Sequence, residues 1–208
     1  MPSTQDAARS AYEELPVLVM APTQTAARGR SGARWETAPR ALAVSLAVAI
    51  GDDRRPLSLM AGVAAKRALG GIRLKWPNDL LIGDSKVGGI LVEISDDVAV
   101  VGLGLNLWWP TPPEGFGALF ADDPGPDRYA EVGALWGAEM LRLLVVEGWP
   151  MDEYKAACST LGRLITWEPS GKGRALDVDE DGALLVEAEG ETGLIRSGAV
   201  RHIRPAGD

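Results

Sequence analysis

Between positions 72 and 94 the chain reads IRLKWPNDLLIGDSKVGGILVEI, and no single regular element can hold that string. Pro77 fixes φ and removes a backbone donor, so a strand that enters before it must stop there. Leu80-Leu81-Ile82 then meets the turn sequence Gly83-Asp84-Ser85, and Val87 to Ile94 runs back out as a strand. The expected product is a hairpin with the ammonium groups of Lys75 and Lys86 and the carboxylate of Asp79 near one end. That grouping suits an anionic ligand better than a plain core.

A second segment, Thr23 to Trp35, lacks apolar periodicity and is rich in Gly and Arg. Residues 28–40 hold Arg28, Arg30, Arg34 and Arg40 against Glu36, a local charge of +3 on a chain of net charge −8. Guanidinium forks match phosphate and carboxylate oxygens, and Gly29 lets backbone approach a ligand closely. Such a loop can order over its ligand and exclude water. Taken alone, a merely solvated basic loop is the commoner explanation.

The rest of the chain supplies a frame. A helix capped near Ser3-Thr4 runs towards Leu15, and strands are expected at 16–20 and 41–50. A helix follows Pro56, a strand spans 98–107, and a loop with five prolines covers 108–126. Helical patterns cover about 127–147 and 150–160. From Gly162 onward the pattern becomes short strands separated by turns, Asp181-Gly182 being the strongest hairpin signal. We therefore expect an α+β chain with a domain at 1–160 and a small β-barrel domain at 161–208.

Several chemistries are disfavoured. The net charge of −8 disfavours nucleic acid and anionic membranes as partners. No apolar run approaches membrane-spanning length, and no export signal is visible. The single cysteine, Cys158, excludes an internal disulfide and places the chain in a reducing, cytoplasmic compartment. Cys158 is expected to be a buried hydrophobe, and His202, the only histidine, a structural residue. No phosphate-loop motif is present. Gly102-Leu103-Gly104 leads into Asn106 and prolines rather than a helix, so it is no dinucleotide fingerprint. Gly171-Lys172-Gly173 reads as a hairpin turn.

Together these segments resemble the biotin–protein ligases. Gln24-Thr25-Ala26 through Arg28-Gly29-Arg30 to Trp35 is similar to their ligand loop. Lys75-Trp76-Pro77-Asn78-Asp79 matches their most distinctive motif, and Lys86 with Gly88-Gly89-Ile90-Leu91-Val92-Glu93 resembles the strand after it. Gly102 to Asn106 resembles the next strand, and Leu161-Gly162-Arg163 onward their small SH3-like domain. The resemblance implies a mixed-sheet catalytic domain of class II synthetase type with an SH3-like C-terminal β-barrel. It implies ATP-dependent ligation of biotin to a lysine of a biotin carrier protein through biotinyl-5′-AMP. Biotin and MgATP are substrates, and no prosthetic group is expected.

The resemblance also implies roles. Lys86, Arg28 and Lys75 form the catalytic set. Ser3, Thr4, Gln5, Gln24, Arg28, Gly29, Arg30, Lys86, Gly88, Gly89 and Leu91 contact biotin. Arg30, Trp35, Lys75, Asn78, Asp79 and Asn106 contact ATP, and Asp79 helps hold Mg2+. The sequence departs from the family at Gln5, where Asn is usual, and at Ala27, usually Gly. With only two residues before Ser3, no DNA-binding domain and no repressor role are expected. A homodimer through an exposed sheet edge is compatible with the pattern. Two other functions fit parts of it: a non-catalytic protein that binds biotin or biotinyl-adenylate, and a lipoate or octanoate transferase. The second needs a nucleophilic cysteine, and Cys158 does not sit in a suitable loop.

Overall fold

The structure, a computed structural model, describes residues 1–30, 37–51, 55–196, 198 and 200–202. Helix α1 spans Thr4–Ala11 and begins where expected, with the Asp6 amide donating to Ser3 Oγ at 3.3 Å. It ends four residues earlier than the apolar spacing indicated. Tyr12 turns extended, and Leu15 is exposed, so nothing rewards a longer helix.

Strands β1 (Val17–Ala21), β2 (Arg40–Ala49), β3 (Arg73–Lys75), β4 (Asp79–Ile82), β5 (Ser85–Ser95) and β6 (Val98–Trp108) form one sheet in the order β1-β2-β6-β5-β4-β3. Every pairing between these strands is antiparallel, so the sheet is not mixed. The reason lies in the connections. β3 to β6 follow one another through short turns, and a short connection can only reverse the chain. Among the described residues, parallel contacts occur only as isolated bridges, Leu74–Cys158 and Lys86–Phe116.

Helices α2 (Leu57–Leu69) and α3 (Arg128–Leu144) cover one face of this sheet. Eight of the thirteen α2 residues are buried, and their small side chains let α3 approach closely enough for the Trp136 indole to donate to the Ala61 carbonyl at 3.1 Å. Val44, Leu103 and Ile90 point into this core. On the other face α1 covers only part of the sheet, packing Ala8 against Ala47 and Val100. The uncovered remainder is where a ligand can enter.

Helix α4 (Met151–Ala157) leads to a second antiparallel sheet of β7 (Leu164–Trp167), β8 (Gly171–Val178), β9 (Leu184–Ala188), β10 (Glu191–Ile195) and β11 (Val200–His202), in the order β10-β9-β8-β7-β11. Among the described residues the two outer strands do not pair, so this sheet is open rather than a closed barrel. Gly171 to Gly173 lie inside β8 and not in a turn. A Cβ on Gly171 would stand 1.9 Å from the Trp167 indole, and one on Gly173 would stand 2.2 Å from the Glu187 carbonyl oxygen. The glycines allow close strand approach. Asp181-Gly182 does form the β8–β9 turn, with Gly182 at φ +82°.

The second sheet grips the first at Trp76. Its amide donates to Thr160 Oγ1 at 3.0 Å, and its indole donates to the Gly182 carbonyl at 2.9 Å. Thr160 Oγ1 is also 3.0 Å from His202 Nε2. Cys158 and His202 thus have the structural settings expected: the thiol is buried and the imidazole is tied to Thr160. Burial, helped by the charges of Lys75 and Arg163, pushes the His202 pKa down from 6.5 to about 4. No helix among the described residues is long and apolar enough to cross a membrane.

Candidate active site

A cavity of about 690 Å3 occupies the part of the sheet face that α1 leaves uncovered. Its floor follows from the strand register. Ala43 of β2 lies beside Gly104 of β6, which lies beside Gly89 of β5. One step along, Ser45 lies beside Gly102, and Gly102 beside Leu91. All six line the cavity. Small residues on three neighbouring strands make a slot in an otherwise bulky sheet.

Polar groups gather at the α1 end. The Thr4 amide and hydroxyl donate to Gln24 Oε1 at 2.6 and 3.1 Å, and Ser45 Oγ donates to Thr4 Oγ1 at 2.8 Å. Gln5 donates through Nε2 to Glu93 Oε2 at 3.0 Å, while its Oε1 is buried with no hydrogen-bond partner. Glycine at 102 leaves room for that oxygen: a Cβ there would stand 2.7 Å from it and would push the Gln5 amide aside.

Charge gathers at the opposite end. Asp79, at the start of β4, lies between the two ammonium groups. Its Oδ1 is 2.5 Å from Lys86 Nζ, and its Oδ2 is 3.4 Å from Lys75 Nζ. All three side chains are less than a third exposed, so their charges are only partly screened. The break at Pro77 brings Lys75 and Asp79 opposite one another as a cross-strand pair. Arg30 donates to Asn78 Oδ1 at 3.2 Å, and Asn78 donates in turn to the Ile90 carbonyl.

Arg28 also lines the cavity, but its fork is engaged. It donates to both Asp6 oxygens at 2.7 and 3.0 Å and lies 3.5 Å from Glu93. The hydrogen bond from Arg28 holds the Asp6 carboxyl below its usual pKa, and Asp6 in turn holds the Arg28 pKa high. To clamp a ligand, Arg28 must exchange these carboxylates for the ligand's oxygens.

Most residues expected in the site converge. Ser3, Thr4, Gln5, Gln24, Arg28, Gly29, Arg30, Lys75, Asn78, Asp79, Lys86, Gly89 and Leu91 all line this one cavity. Two do not. Gly88 faces β6, where a Cβ would stand 2.6 Å from Leu105 Cδ2 and 2.7 Å from the Gly104 carbonyl oxygen. Asn106 is buried and donates to the Gly117 carbonyl at 3.0 Å, pinning the proline-rich loop instead of lining the cavity. Trp35 lies outside the described residues. Ser45 was legible as the one hydroxyl in an apolar run. Asp6 and Glu93 as partners of Arg28, and Arg201, which also lines the cavity, carried no local signal of those roles.

The donor set does not build a resident Mg2+ site. Both Asp79 oxygens already face ammonium groups, and no cluster of three or more His, Cys, Asp or Glu occurs among the described residues.

An antiparallel sheet with a glycine slot, a polar cluster at one end and paired ammoniums at the other suits a ligand with an uncharged head and an anionic tail. Residues 2–106, which contain nearly all of that site, match the model of the biotin/lipoate A/B protein ligase family, and the chain belongs to that family. A biotin–[acetyl-CoA-carboxylase] ligase from Mycobacterium tuberculosis is 30% identical over 90% of this chain and 79% of its own length. The biotin protein ligase of Aquifex aeolicus, solved with biotin and ATP, has the same fold at a TM-score of 0.82 and 23% identity. That match covers 97% of this chain and 96% of the other. The ligase of Leishmania major with biotinyl-5-AMP gives 0.67 at 21% identity, over 94% and 95% of the two chains.

Proposed function

We propose that this chain joins biotin to a lysine of a biotin carrier protein in two steps, with MgATP as co-substrate. The observation that carries the reading is the single cavity joining the Thr4–Gln24–Ser45 cluster to Lys75, Lys86 and the Arg28–Arg30 loop.

The fused rings of biotin would enter the slot over Gly89, Gly102 and Gly104, with the ureido group on the hydroxyl and amide cluster. Its valeryl carboxylate would then reach towards Lys86. In the first step a carboxylate oxygen bonds to the α-phosphorus of ATP. The bond from that phosphorus to the bridging oxygen breaks, and pyrophosphate leaves with the electron pair. No covalent enzyme intermediate is involved, so catalysis falls to positioning and to stabilising negative charge. Lys86 stands where it can neutralise charge on both carboxylate and phosphorus. Lys75 supports the nucleotide side, and Asp79 holds both ammoniums in place before substrate arrives. Mg2+ would enter as part of the ATP complex, carried by phosphate oxygens and water.

In the second step a neutral carrier lysine attacks the acyl carbon. AMP leaves, a proton is lost, and an amide remains. Arg28 and Arg30 would close over the adenylate once Arg28 exchanges Asp6 for ligand oxygens. The test is incubation with biotin, MgATP and a biotin carrier domain, read by intact mass of the carrier. Addition of one biotinyl group supports the reading. An unmodified carrier, with biotin bound to the chain, favours a binding protein instead. We assign the activity to the cytoplasm, in keeping with the unpaired buried thiol of Cys158. The outer strand β1 leaves an edge on which a second copy could pair, whereas the edge of β3 is taken up by residues 158–160.

A further inference from the structure

Five cationic side chains line the cavity: Arg28, Arg30, Lys75, Lys86 and Arg201. Among the described residues only two carboxylates share that wall, Asp79 and Glu168. Asp79 is committed, because each of its oxygens faces an ammonium group. Glu168 is not committed: among the described residues its carboxylate makes no ion pair and no hydrogen bond.

Strand pairing sets where Glu168 stands. It follows Trp167 at the end of β7, and Trp167 pairs with Val200 of β11. Val200 and Arg201 line the cavity with it. So does Gly198, where a Cβ would meet nothing within 4 Å, so this stretch of the rim is open. β11 is tied to the strand that carries Lys75, because Thr160 Oγ1 lies 3.0 Å from His202 Nε2 and accepts from the Trp76 amide. Glu168 therefore belongs to the charged end of the cavity and not to the α1 end.

The second chemical step needs a group of this kind. A lysine ammonium ordinarily has a pKa of about 10.4, so the acceptor arrives as a cation. A wall of five like charges repels it. We propose that Glu168 draws in the ammonium of the carrier lysine and takes the proton that its nitrogen releases as the amide forms. This rests on the ligase reading given above. The captured ammonium first loses one proton to water. The nitrogen lone pair then bonds to the acyl carbon, the bond from that carbon to the phosphate oxygen breaks, and AMP leaves with the electron pair. Bonding makes the nitrogen cationic and strongly acidic. Its remaining surplus proton passes to a Glu168 carboxylate oxygen, and from there to water. Asp79 is unsuited to this task, because protonating it would loosen both ammonium groups that the first step uses.

The experiment adds preformed biotinyl-5′-adenylate and a biotin carrier domain to the full chain, and follows amide formation by intact mass of the carrier. Glu168→Gln should slow it about 10²-fold at pH 7, as for loss of a positioned proton acceptor. The deficit should shrink as pH rises and hydroxide takes over the proton, which a folding defect does not do. Glu168→Asp keeps a carboxylate and should recover most of the rate. An unmoved rate in Glu168→Gln overturns the proposal. So does a deficit that Glu168→Asp shares and that pH leaves unchanged, because that marks a structural role. A raised half-saturating ATP concentration in pyrophosphate release, with amide formation from added adenylate unmoved, also overturns it and assigns Glu168 to the ribose hydroxyls. An unaltered chain that uses added adenylate but makes none from biotin and MgATP would instead overturn the ligase reading beneath it.

Discussion

Replacing Lys86 by Ala removes the group nearest to both reacting centres, and the structure sets the size of the effect. Loss of one preorganised transition-state donor costs about 10²–10³ in rate, roughly 2.7–4 kcal/mol. A second loss comes from Asp79. Its carboxylate now lies 2.5 Å from Lys86 Nζ and would retain only Lys75 at 3.4 Å. Two like charges about 4 Å apart repel by up to about 4 kcal/mol at an effective dielectric of 20, and the open mouth of the cavity lowers that figure. The Lys86→Ala variant should therefore lose at least about 10² in single-turnover pyrophosphate release at saturating biotin and MgATP. Adding Asp79→Asn should restore about tenfold of that loss, a coupling of roughly 1.4 kcal/mol between touching residues. Pyrophosphate release at the unaltered rate in Lys86→Ala would refute the assignment. A double variant that loses the product of the two single effects would refute the claim that Asp79 works through the ammonium pair.

Two further outcomes follow from local geometry. Gly88→Ala drives a methyl to within 2.7 Å of a backbone oxygen and 2.6 Å of Leu105, so it should destabilise by about 1–3 kcal/mol, lowering Tm by roughly 2–12 °C in thermal unfolding. His202 holds its proton less tightly when folded, with a pKa of about 4 against 6.5. The unfolded chain therefore binds the proton first, and stability should fall as pH drops from about 6.5 towards 4. His202→Gln should flatten the pH dependence of Tm in that window, above the range in which Asp6 and Asp177, held below their usual pKa by Arg28 and Lys155, give up their charge.

Much of this was readable along the chain because it depends on residues close in sequence. Pro77 and Gly83 punctuate the stretch from β3 to β5, and that punctuation alone brings Lys75, Asp79 and Lys86 together. The Ser3 cap and the Asp181-Gly182 turn are equally local. What sequence could not supply was facing and distant pairing. Gly88 and Gly89 are neighbours, yet strand alternation puts Gly89 in the cavity and Gly88 against β6. Asn106 follows the glycine pattern of β6 but is drawn away by the proline-rich loop. The grip of Asp6 and Glu93 on Arg28 joins α1 and β5 to a loop remote from both, and only the folded chain brings them together. The mixed sheet came with the resemblance, whereas the short turns between β3 and β6 already demanded antiparallel pairing.

The central claim is that one cavity binds the uncharged rings at one end and forms an acyl-phosphate at the other. Native mass spectrometry of the chain after incubation with biotin and MgATP, with no carrier present, tests it directly. The account predicts one retained equivalent of biotinyl-5′-AMP per chain, discharged as AMP when a carrier domain is added. A chain that retains only biotin, with ATP left intact, would contradict it.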